Sequence, residues 1–178
     1  MTSIIKVDQI QTAAGGVPTA ADLGLNVSGA VIGYGWNDSN TKIAATASTS
    51  FLSINYTPQF ANSKLLVTFC MAVGLTNTNG TTGIRRDGSF IGTQVASAYI
   101  GSAVGHNSGE DSQGANQDYS INKNTYQILD TPNTTSAVTY DFYWQLASGI
   151  SGEYYVNRQK VDNGGSAVST VSILEIAG

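Results

Sequence analysis

Chemistry at a protein site needs a nucleophile, an acid-base pair or a cluster of metal ligands, and this sequence holds few candidates for any of them. One histidine, His106, and one cysteine, Cys70, occur in 178 residues. His106 lies in the Gly-rich polar stretch Gly101 to Asp118. A Ser-His-acid triad is recognised by geometry rather than by spacing, and serine is so abundant here that its coincidence with a histidine carries no weight. Cys70 sits in the apolar run Lys64 to Val73, where a thiol behaves as a small buried hydrophobe. Glu110 and Asp111, with Asp118 beyond, could offer oxygen ligands to calcium. Their spacing matches no cation motif, and a solvated polar loop is the reading favoured over a calcium site. Glycoside cleavage needs two carboxylates flanking the bond, and no pair stands out. Gly15-Gly16 and Gly164-Gly165 lack the strand-to-helix setting and the lysine of a phosphate cradle. The expectation is a chain that is not an enzyme and uses no cofactor and no metal. Tyr99, Tyr143, Tyr154 and Tyr155 could stack on sugars, although packing within a core is the plainer use.

Composition narrows the partners. Charged residues make up 11% of the chain and the formal net charge is -4. The eight basic residues are scattered singly or in pairs, so no stripe exists to neutralise a row of phosphates and nucleic acid is not an expected partner. Nine Tyr, five Phe and two Trp supply the apolar surface that disordered chains lack. No stretch approaches the ~20 apolar residues of a membrane span or the ~7 to 15 of a secretory signal. Synthesis in a cytoplasm, without membrane insertion, is therefore expected.

The elements that must position any site are strands. In Ala137 to Ala147 the residues Val138, Tyr140, Phe142, Trp144 and Leu146 fall on one face and polar residues alternate with them, the period of a half-buried strand. Lys64 to Val73 turns Leu65, Val67, Phe69, Met71 and Val73 inward, and Phe51 to Thr57 does so with Leu52, Ile54 and Tyr56 before Pro58 stops the pairing. Further candidates are Val31 to Trp36, Thr82 to Arg86, Phe90 to Val95, Tyr119 to Leu129, Glu153 to Gln159 and Ser169 to Ile176. Asp87-Gly88 between two of them is a type I′ hairpin signal, and Asp130-Thr131-Pro132-Asn133-Thr134 is a Pro-fixed turn. With no apolar period of 3.6 over ten residues, the expected fold is all-β, an antiparallel β-sandwich of jelly-roll type with about eight strands.

Two segments depart from this pattern. Residues 1 to 28 carry a short apolar stretch, Ile4 to Ile10, followed by small and turn residues, too little to form a core. They read as an extended N-terminal arm, with one β domain over 29 to 178. In the last strand, Val168, Val171, Ile173, Leu174 and Ile176 occupy both faces. Such a strand lies at the centre of a sandwich or at a subunit interface.

Two parts of the chain resemble a known group. SIIKVDQIQTAAGGVPTAADLGL is similar to the N-terminal segment of tail-fibre and virion-appendage proteins of marine tailed bacteriophages. The later stretches YTPQFANSKLLVTF, RRDG, LDTPNTTSAVTYDFYW, YYVNRQ and STVSILEIAG are similar to the C-terminal domain of the same proteins. That domain in turn resembles the trimeric jelly rolls of the complement globular-head and tumour necrosis factor type. The chain lacks the shaft, heptads and collagen-like repeats of longer fibres, which favours a short knob.

The resemblance implies a homotrimeric structural protein on the virion surface, contacting other virion proteins of tail or capsid and a host surface glycan or protein. The alternative is a capsid decoration or head-fibre protein that stabilises the shell without binding a receptor. On this reading Ile4, Ile5, Val7 and Ile10 attach the arm to the particle, and Val171, Ile173, Leu174 and Ile176 line the trimer interface. Host contact would fall to the polar loops, through Asn77, Thr78, Asn79, Asn107, Glu110, Asp111 and Gln113.

Overall fold

The computed structural model describes residues 28–74, 80–92, 121–146, 149, 152–161 and 164–178. These form ten strands and no helix: β1 Val31–Ser39, β2 Ile43–Ala45, β3 Thr49–Tyr56, β4 Lys64–Gly74, β5 Gly80–Arg86, β6 Ser89–Phe90, β7 Ile121–Asp130, β8 Val138–Leu146, β9 Tyr154–Val156 and β10 Ser169–Ile176. One sheet runs β1-β10-β4-β9-β2, with β7 on the other side of β4, and the second runs β3-β8-β5-β6. All pairings are antiparallel. The first and last strands are neighbours, and chain segments alternate between two facing sheets. The expected all-β antiparallel sandwich is therefore present.

The inward faces are those the alternation marks. Leu65, Val67, Phe69 and Met71 of β4 and Tyr140, Phe142 and Trp144 of β8 have no exposed surface. At ~25 cal/mol per Å² of apolar surface, such side chains supply the main favourable term of folding. Their rings interlock: Tyr126 meets Phe142 at 4.6 Å between centroids, and Tyr154 is stacked between Phe51 at 5.2 Å and Trp144 at 5.4 Å. Phe51 departs from simple alternation. A register shift between Ser50 and Leu52 inserts an extra residue, so Phe51 and Leu52 are both buried.

The turn chemistry holds. Asp87 and Gly88 have φ of 49° and 82°, the two positive values of a type I′ hairpin. Asn133 turns the β7–β8 connection with φ of 55°. Gly33 sits in β1 with no side chain because the Tyr56 hydroxyl and the Glu175 carboxylate occupy the space where a Cβ would stand. The first strand can then close tightly over β3.

Candidate functional site

Among the described residues, those with chemical potential do not assemble. His106, Glu110, Asp111 and Asp118, and Tyr99, lie outside the described residues. Among the described residues no three of His, Cys, Asp and Glu come together as metal ligands. Cys70 differs from its expected burial. Alternation along β4 sends Phe69 and Met71 inward, and Cys70, opposite Thr170 and Thr125, faces outward and is half-buried. The tyrosines serve packing. Tyr154 and Tyr155 are buried, and Tyr143 lies beneath the Arg85 guanidinium, 3.5 Å from its ring centre.

The carboxylates of the sandwich act as fasteners. Asp130 on β7 accepts both Arg86 Nη1 bonds, at 2.9 and 2.7 Å, and the Tyr140 hydroxyl at 2.6 Å. This ties the two sheets together. Burial, and donation to that carboxylate, push the Tyr140 hydroxyl far above the ordinary tyrosine range. Glu175 on β10 is fully buried. It accepts the Tyr56 hydroxyl at 2.9 Å and the Gln59 backbone N–H at 2.7 Å, pinning the β3–β4 turn to the last strand. Burial and the Glu175 carboxylate likewise raise Tyr56. Every one of these groups is satisfied by its neighbours, the pattern of structural pairs rather than of a poised acid or base.

The strongest surface feature is apolar. The register pairs Tyr34 with Leu174, Leu174 with Leu66, and Leu66 with Leu129. Four large side chains thus form one row across β1-β10-β4-β7 on the sheet's outer face. Tyr34 is 61% exposed and Leu129 55%, values unusual for a clustered set on a monomer surface. On one side of this row stand Val31 and Ile176, and on the other Trp36, Ser172, Thr68 and Gln127. Trp36 is itself 54% exposed.

The four residues assigned to a trimer interface divide between two faces. Leu174 and Ile176 lie on the outer face, half-buried in the single chain. Val171 and Ile173 point into the sandwich and belong to its core, with no exposed surface. Their burial is complete without a second subunit, so the interface assignment is corrected for these two: successive side chains of a strand face opposite ways, and only one set can meet a partner. Tyr34, Trp36, Leu66 and Leu129 were not singled out from sequence. The Gly-Tyr-Gly-Trp alternation in β1 places both aromatics on one face, but not which face.

The sandwich has two unlike ends. At one, Gly29 N–H donates to Ala177 O and Ala177 N–H to Ala30 O, each at 2.8 Å, so the incoming and outgoing chain lie side by side. At the other, Gly74 pairs with Ile121 and Gly80 with Leu146, and Gly74 and Gly80 flank residues 75–79. Asn77, Thr78, Asn79, Asn107 and Gln113, like Ile4, Ile5, Val7 and Ile10, lie outside the described residues.

No family model matches the chain, and no curated protein matches it. Among solved structures it is similar to the VP2 subviral particle of infectious bursal disease virus, at 9% identity and a TM-score of 0.36, over 83% of this chain and 39% of that one. The structure of the Gx strain of the same virus matches at 12% identity and a TM-score of 0.36, over 83% of this chain and 37% of that one. The chain spans about two fifths of the length of these viral proteins.

Proposed function

We propose that this chain is a structural protein of a bacteriophage particle, a short homotrimeric appendage held to the virion by residues 1–28 and displayed with its far end outward. The observation that supports this best is the polarity of the sandwich. Residue 28, where the arm joins, lies at the end where Gly29 meets Ala177. The stems of the 75–79 loop, Gly74 and Gly80, and the start of β7 after the long 93–120 segment lie at the other. β4 runs the whole length between them, eleven residues, or ~35 Å at ~3.3 Å per residue. An attachment arm and a set of contact loops would thus sit at opposite ends of a rigid body. Loops rich in Asn, Ser, Thr and Gly suit weak, hydrated contacts with glycans, multiplied by three copies. The resemblance of both the arm and the head to phage appendage proteins supports the same reading.

The test is made on particles. Gold-labelled antibody against the head domain should decorate virions, and label on the tail favours an adsorption knob whereas label on the shell favours capsid decoration. Replacing Ile4, Ile5, Val7 and Ile10 together by Ser should leave a folded head of unchanged mass that no longer incorporates. Absence of the protein from virions would sink the reading.

A further inference from the structure

We propose that the end of the sandwich where Gly29 meets Ala177 is a second docking surface for the virion, a neutral hydrogen-bonding footing that seats on an uncharged polar surface of a particle protein once residues 1–28 have attached. This rests on the attachment reading above and names the part of the head that completes it.

Three connections close this end: residues 57–63 between β3 and β4, 87–88 between β5 and β6, and 131–137 between β7 and β8. The register gathers them there, since Tyr56 pairs with Val138, Arg86 with Tyr140, Leu65 with Asp130, and both Lys64 and Val31 with Ile176. Each connection is short and tied down. Asp87 N–H donates to Thr139 O at 2.9 Å, and the Asp87 carboxylate accepts Thr139 N–H at 2.8 Å. Asn133 Nδ2 donates to Thr131 O at 3.2 Å, and Ser136 N–H to the Thr134 hydroxyl at 3.0 Å. Gln59 is held twice, its backbone N–H by Glu175 at 2.7 Å and its side-chain amide by Ile32 O at 2.5 Å. A surface fixed in this way loses little conformational freedom on docking.

The chemistry of this end selects its partner. Gln59, Asn62, Thr131, Asn133, Thr135 and Ser136 are exposed. Among the described residues here the exposed charges are Asp87 and Lys64, one of each sign, and Arg86 and Asp130 neutralise each other. No net field draws a charged partner, and the uncharged donors and acceptors match a surface of the same kind. Such a contact is weak alone, and the tether compensates. Residues 11–28, eighteen in number, separate Ile10 from Gly29, and even fully extended they reach no more than ~60 Å. A head confined within ~60 Å of its anchor meets the particle at ~2 mM, so a millimolar contact suffices to seat it.

Full-length variants supplied during particle assembly decide it. Asn62, Thr135 and Ser136 are exposed turn residues at this end, whereas Ser50, Ser53 and Gln145 are exposed on β3 and β8. Changing the first three together to Arg, or together to Glu, should lower incorporation into purified particles at least tenfold, with solution mass and melting temperature unchanged. The same changes at the second three should leave incorporation at the wild-type level. Should a triple variant melt early, Thr135→Arg and Thr135→Glu replace it, each expected to lower incorporation at least threefold. Normal incorporation of both end variants overturns the inference and leaves attachment to residues 1–28 alone. Loss with the strand variants as well marks a general effect of added charge and overturns it equally. Opposite responses of the Arg and Glu variants reveal a charged partner and overturn the neutral fit. A wild-type protein absent from particles removes the attachment reading itself.

Discussion

Glu175 is the residue whose removal should be felt most clearly at the end of the sandwich where Gly29 meets Ala177. Its carboxylate is fully buried and its donors are neutral: the Tyr56 hydroxyl at 2.9 Å, Gln59 N–H at 2.7 Å and a long contact to Phe60 N–H at 3.4 Å. Glu175→Ala strands the first two donors, at ~1 to 3 kcal/mol each. The Phe60 contact is too long to add much. Because Tyr56 is only half-buried, water recovers part of its share, and the expected loss is about 2 to 4 kcal/mol. Glu175→Gln keeps a carbonyl for Gln59 and exchanges a charge-assisted bond for a neutral one, at about 1 to 2 kcal/mol. Urea unfolding followed by tryptophan fluorescence at one fixed protein concentration measures both, since assembly couples to stability. Adding Tyr56→Phe completes a double-mutant cycle, in which a coupling of about 1 to 3 kcal/mol is expected. A Glu175→Ala protein within ~0.5 kcal/mol of wild type, or no coupling to Tyr56, would refute the fastening role.

Asn157 is buried at φ of 59°, donates to Ser39 O at 2.9 Å and Thr41 O at 3.1 Å, and accepts the Ser169 hydroxyl at 2.6 Å. Asn157→Ala should cost about 2 to 4 kcal/mol, and Asn157→Gly up to ~1 kcal/mol less because glycine accepts that backbone, both read by thermal unfolding. Ile173→Ala should lower stability by about 2 to 5 kcal/mol through a core cavity, the same melting experiment showing the loss in a protein of unchanged mass. Burial pushes the Tyr126 hydroxyl up to about 12 and Tyr154 well above its ordinary value. Their neutral forms favour the folded state, so this contribution is full below pH ~10 and declines as pH rises toward the folded value. Urea midpoints should hold to about pH 9 and fall from pH 10 to 11, with tyrosinate absorbance appearing as the protein unfolds. Midpoints flat to pH 12 would contradict the buried placement of these rings.

Most of the fold was legible in the residues themselves. Alternation in β4 and β8 marked nine of the nineteen residues of the buried core cluster, because in a strand side-chain direction follows from parity alone. Asp87-Gly88 announced its turn for an equally local reason, two successive positive-φ positions that few residue pairs accept. The short strand β2 escaped notice, since Ile43–Ala45 is too brief for a period to show. The bulge at Phe51 was likewise hidden, because an inserted residue is defined by the partner strand it fails to match.

The surface was less legible. Parity says that Tyr34 shares a side with Trp36, and Leu174 with Ile176, but rows across a sheet depend on register between strands far apart in sequence. Leu66 pairs with Leu174 and with Leu129, and each of these residues alone looks like an ordinary exposed aliphatic. Only the tertiary pairing turns them into one continuous apolar face. The same pairing moved Val171 and Ile173 from a supposed interface into the core. What the residues determined by themselves was an all-β chain with a polar, charge-poor surface and a distinct opening segment, because composition and period-two alternation are local properties. What the folded chain alone decided was which apolar face remains uncovered and which end of the sandwich Gly29 and Ala30 share with Ala177, because both arise from contacts between residues distant in sequence.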